Sequence, residues 1–147
     1  MQTRTTTITV ESLAVYAQWS DARLLLAALR ELPFTARADL DEEFARWKIP
    51  AIDELTVEQI EASDGKILTV FFGWFGRRHR DVLDRLHEEV CVKADYCANR
   101  ESEDFKFWSD LILVIAGILG DLGFLSLSLV VVRRFLDRFC NCEARTA

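Results

Sequence analysis

The 147-residue chain is poor in the residues that punctuate structure, with only two prolines and six glycines. That scarcity excludes a collagen-like fibre and a proline-rich linker, and with half the residues hydrophobic it also excludes a disordered tail. Histidine is scarcer still, with His79 and His87 alone available for imidazole chemistry. No glycine-rich phosphate loop, no His-Glu-x-x-His and no Gly-x-Ser-x-Gly occurs, so the nucleotide-hydrolase, zinc-protease and serine-hydrolase templates fail. A surplus of positive charge is missing too: 18 Lys and Arg against 24 Asp and Glu leave a net charge of −6, which disfavours a protein that coats nucleic acid.

The first ten residues lack an apolar targeting core, so the expectation is a cytoplasmic protein with reduced thiols. Cys91-x5-Cys97 and Cys140-x-Cys142 do not show the two-to-four-residue gaps usual in zinc knuckles. No metal and no cofactor is therefore expected. Cys91 follows His87 by four residues, without any visible oxyanion site to make a nucleophilic pair of them.

What the chain does carry is an order of patterns. Thr5 to Val10 is β-branched and reads as a short strand. Glu11 to Leu32 favours helix, interrupted at Ser20-Asp21 by a candidate N-cap and ended by Pro33. Asp39 and Glu42 have the spacing of a capping box, followed by Leu40, Phe44 and Trp47 on one helical face up to Pro50. Leu55–Ala62 and Lys66–Phe72 read as two strands of a β-hairpin, because Asp64-Gly65 between them suits a type I′ turn. Arg77 to Val92 returns to helix with Val82, Leu83, Leu86 and Val90 as its apolar stripe.

The division expected is a mixed α/β domain over 1–92, a polar linker over 93–108 and an apolar helical segment with an Arg-rich tail over 109–147. The fold class expected is α+β: a small helix-rich domain with one β-hairpin, about three strands in all, and a C-terminal apolar helical hairpin or single long apolar helix. Charge follows the same division. Residues 1–76 carry −5, residues 77–108 carry −1, and residues 109–147 are neutral.

Leu111 to Val132 holds one charge, Asp121, in 22 residues. As one helix it would span about 33 Å, enough to cross a bilayer core, with Trp108, Arg133 and Arg134 as interfacial anchors. Gly117, Gly120 and Gly123 around Asp121 favour instead a turn between two helices, with Asp121 as N-cap of the second. The alternation Leu125-Ser126-Leu127-Ser128-Leu129 admits a strand as a third reading. The functional expectation is a non-enzymatic interaction or assembly module whose apolar C-terminal segment docks on a partner chain, on itself or on a membrane. Leu111, Ile115, Ile118, Leu125, Leu129 and Val132 are its contact residues. A protein partner or a homo-oligomer is expected, with membrane attachment through 111–132 as the variant reading.

One chemical constellation competes with that view. Arg80-x6-His87 places a guanidinium and an imidazole on one helical face about 10 Å apart, with Asp84 between them. With the polar Asp81 after Arg80, this resembles the motif of HEPN-domain ribonucleases. That resemblance, over eight residues, implies an all-helical bundle and metal-independent action on the RNA 2′-hydroxyl and phosphate by Arg80 and His87, commonly at a dimer interface. The plainer account is an Arg80–Asp84 ion pair on a solvated helix face. Arg77-Arg78-His79-Arg80, beside Trp74 and Phe75, is the single basic-aromatic cluster. It reads as pairing internally with acidic residues such as those from Asp39 to Glu43.

Overall fold

A computed structural model describes residues 15–122 and 125–142, apart from the side chain of Asp121. The described residues form helices and no strand, so the α+β expectation is corrected to an all-helical fold. The expected strand at Thr5–Val10 and the Asp121 cap lie outside the described residues.

The helices are α1 (Asp21–Arg30), α2 (Phe34–Arg46), α3 (Val57–Ala62), α4 (Lys66–Arg78), α5 (Arg80–Leu86), α6 (Tyr96–Asn99), α7 (Phe105–Leu119), α8 (Leu125–Arg134) and α9 (Leu136–Phe139), with a π-helical turn over His87–Lys93. Ser20 caps α1, its hydroxyl accepting from the Arg23 amide. Asp39 is not an N-cap: α2 starts five residues earlier, directly after Pro33, whose fixed φ suits a helix entrance.

The β-hairpin is replaced by two helices meeting at the same turn. Asp64 and Gly65 do adopt positive φ, +53° and +86°, as the turn reading requires. Two consecutive left-handed residues also end one helix and start another, and here they join α3 to α4. The decisive local signals were helical. Thr56 and Gln59 form a reciprocal capping box ahead of α3. Ile67, Val70, Phe71, Trp74 and Phe75 recur at helical spacing, and all five are buried.

The apolar segment is also two helices. Gly120 takes φ +56°, a conformation glycine reaches without Cβ strain, and ends α7. α8 then runs beside α7. Among the described residues no helix is long and apolar enough to cross a membrane. The Leu-Ser alternation is not a strand, for Leu125 to Val131 are buried on every side of a helix. That helix packs against α1, α7 and α9, and the buried Ser126 hydroxyl donates to Glu31 Oε1 at 2.6 Å.

The reduced-thiol expectation is overturned. Cys91 pairs with Cys140 and Cys97 with Cys142, the Cα atoms 5.2 and 5.1 Å apart. Spacing along the chain hid this, because each bridge joins residues more than forty positions apart. The segment over 93–108 is tied into the body by the Cys97–Cys142 bridge and by buried Tyr96, whose hydroxyl donates to Asp137 Oδ1 at 2.8 Å.

Two glycines should respond oppositely to one substitution. Gly65→Ala puts a Cβ on a left-handed residue and should destabilise by about 1–2 kcal/mol. Gly73 lies inside α4, where an added Cβ meets only Arg77 Nη1 at 3.6 Å. Gly73→Ala should therefore stabilise by up to about 1 kcal/mol, both changes being read by urea unfolding.

Candidate functional site

The basic-aromatic cluster is split by a helix break. His79 takes φ −131° and ψ 50°, ending α4 and preceding α5. Arg77 and Arg78 thus occupy the last turn of α4, where the negative end of the helix dipole favours cations. This corrects their expected place at a helix N-terminus. Both arginines pair with α2, as the acidic partners there suggest. Arg77 Nη2 lies 2.9 Å from Glu43 Oε2, and Arg78 Nε lies 2.9 Å from Asp39 Oδ2. The buried Trp74 donates its indole N–H to Asp39 Oδ2 at 2.7 Å. Asp39 is therefore the acceptor that fastens α4 to α2. At Glu43 the Trp47 indole N–H does most to hold the carboxyl below its ordinary value; burial opposes it, and Arg77 and Arg46 add to the lowering.

Arg80, one residue beyond the break, is treated differently. Among the described residues it has no ion pair, and the i,i+4 partnership with Asp84 does not form. Arg80 and His87 instead line one open groove of about 500 Å³, together with Arg77, Asp84 and Phe139. On the α4 side the groove is lined by Gly73 and Gly76 between Phe72 and Arg77. Gly76 faces α5, and a Cβ added there would meet Leu83 Cδ1 at 3.4 Å, an ordinary van der Waals contact. Phe72 of α4 stacks on Phe135 at 4.5 Å between centroids, and Phe135 stacks at 4.8 Å on Phe139, which forms the far side. His87 meets the Phe139 ring edge-on at 6.0 Å. The Cys91–Cys140 bridge ties the turn that begins at His87 to the residue following Phe139, so one covalent link holds both walls. Nothing in residue order signals Phe139, because its helix reaches the groove only through tertiary packing.

The expected docking residues sit elsewhere. Leu111, Ile115, Ile118, Leu125 and Leu129 are buried in the chain's own core, and Val132 is half-buried against it. Trp108 donates to the Ser102 carbonyl at 2.7 Å and packs edge-on against Tyr96. Arg133 donates to the carbonyls of Trp19 and Ala17 and pairs with Asp21, which Arg134 also approaches. These two arginines anchor α8 to the chain entering α1. The outer face of α7 is different in kind: Leu113 and Val114 are 44% and 40% exposed, next to exposed Gly117 and Gly120.

No group of three or more His, Cys, Asp or Glu among the described residues could hold a metal ion. Comparison with protein-family models, with curated proteins and with solved structures finds no match for this chain.

Burial against Trp74 and Phe75 pushes His79 below its ordinary value of 6.5, opposed by the nearby charges of Asp81 and Asp39. The folded state therefore prefers neutral imidazole, and the unfolded chain binds the extra proton first as pH falls. This contribution to stability is present above pH 6.5 and is lost as pH drops through that value towards the folded pKa. His79→Phe should flatten the fall in stability between neutral pH and about pH 5.5, measured by urea unfolding across that range. An unchanged slope would place the acid sensitivity in the carboxylates.

Proposed function

We propose that the chain is a non-enzymatic assembly module in which two copies pair through the outer faces of α7. The observation carrying this reading is the exposure of Leu113 and Val114 on a helix whose opposite side is fully committed to the core. A soluble surface seldom leaves large apolar side chains adjacent on one regular face without a partner. The face is also self-complementary. An antiparallel pair with its two-fold axis beside Ile115 sets Leu113 of each copy over Gly117 of the other. Large meets small there, which lets helix axes approach towards the short end of the 8–10 Å range. Charge favours the same geometry, because the acidity lies in residues 1–76 while residues 109–147 are neutral.

Sedimentation across a concentration series should show a dimer that dissociates on dilution. Leu113→Lys should give a folded monomer whose thermal stability no longer rises with concentration, since Leu113 makes little contact with its own core and only the pairing is lost. A wild-type monomer at roughly 100 μM would remove the proposal. A monomer that floats with lipid vesicles would replace the second copy with a bilayer.

The placement of Arg80 and His87 in one groove of an all-helical chain supports a second reading, metal-independent RNA cleavage. In it His87 accepts the 2′-hydroxyl proton as the 2′-oxygen bonds to phosphorus. The P–O5′ bond breaks and the 5′-oxygen leaves with a proton from water, while Arg80 neutralises the charge gathering on the phosphate. Arg80→Ala and His87→Ala should then each abolish cleavage of single-stranded RNA. Equal cleavage by wild type and variants would sink that reading.

A further inference from the structure

We propose that the groove between α4, α5 and α9 binds a small phosphate ester carried on a planar aromatic ring, a nucleoside monophosphate being the representative form. The inference rests on the groove alone, and requires neither the pairing of α7 faces nor any cleavage step.

Three features converge on that ligand class. The first is available positive charge. Arg80 reaches the groove without a carboxylate partner among the described residues. Arg77 spends Nη2 on Glu43 and keeps its other donors, with its side chain 61% exposed. Two planar guanidiniums lining one groove from either side of the break at His79 suit the several oxygens of a single phosphate, which a lone carboxylate would not fill.

The second feature is the aromatic wall. Phe72, Phe135 and Phe139 form a continuous stack with interplanar angles of 20° and 22°, and its two ends, Phe72 and Phe139, both line the groove. A planar ring laid on either end extends that stack without reading any particular hydrogen-bonding edge. His87, perpendicular to Phe139 at 86°, stands beside the same surface with its ring nitrogens available for a sugar or phosphate oxygen.

The third feature is room held open. A volume of about 500 Å³ lies within the range of small-molecule sites, and Gly73 and Gly76 add no side chain of their own to it. The Cys91–Cys140 bridge fixes the wall carrying Phe139 relative to the turn that begins at His87, so little ordering remains for a ligand to impose. Charge then sets the ligand's size. Asp84 also lines the groove and the chain as a whole carries −6, so the two arginines can neutralise one phosphate but not a run of them.

The test is calorimetric titration of the full disulfide-bonded chain with AMP, adenosine, inorganic phosphate and a short single-stranded RNA. AMP should bind at least about tenfold more tightly than either adenosine or phosphate, because each of these lacks one half of the recognition. Arg80→Gln, a change at an exposed side chain, should weaken AMP about tenfold while leaving thermal unfolding in place. Gly73→Leu should block the groove to every ligand. Leu113→Lys should bind AMP as wild type does, which separates this result from the fate of the assembly reading. Binding of AMP no tighter than phosphate would overturn the proposal, as would full affinity in Arg80→Gln. RNA binding more tightly than AMP would also overturn it, in favour of a polynucleotide.

Discussion

The complete burial of α8 is the constraint to which the other helices answer. From Leu125 to Val131 every residue is shielded from solvent, so the helix must be covered on all sides by its own chain. Each buried Leu or Val contributes about 1.5–3 kcal/mol, and an exposed flank would forfeit that gain. α1, α7 and α9 provide the cover. Arg133 sets the register at one end by bonding the carbonyls of Ala17 and Trp19, and Ser126 meets Glu31 near the other. Polar groups inside this packing are therefore partnered rather than merely tolerated.

A second layer hangs on α4. Its buried stripe faces α2, and Asp39 collects the Trp74 indole and the Arg78 guanidinium on one carboxylate. That arrangement consumes Arg78 and part of Arg77 internally and leaves Arg80, beyond the break at His79, as the cation facing the groove. The two disulfides then bind the C-terminal end to the His87–Lys93 turn and α6, closing the groove's far wall. Structure and candidate chemistry share these residues, so disturbing the core near α9 would disturb Phe139 as well.

The two sides of α7 explain how one apolar segment supports both stability and the proposed assembly. Ile112, Ile115 and Leu119 enter the core, while Leu113 and Val114 on the other side remain in solvent. Apolar content alone does not distinguish these roles. Position around the helix does, and Gly120 decides where the helix stops.

Much of the local structure was legible from residue order. Ser20 announced the start of α1, and the glycine cluster marked the break between α7 and α8. The acidic partners of Arg77 and Arg78 were readable from charge. At Asp64-Gly65 the backbone signs were readable but not their consequence, because a pair of positive-φ residues serves a strand turn and a helix junction equally well. Thr56-x-x-Gln59 and the helical spacing from Ile67 to Phe75 held the answer, and β-rich composition concealed it. Sequence order by itself determined the Ser20 cap, the break at Gly120 and the shared face of Arg80 and His87, since all three depend on neighbours within a turn or two. Tertiary structure alone decided the cysteine pairs, the burial of both serines on α8 and the arrival of Phe139 opposite His87. Those contacts join residues tens of positions apart, and only packing of the whole core brings them within reach.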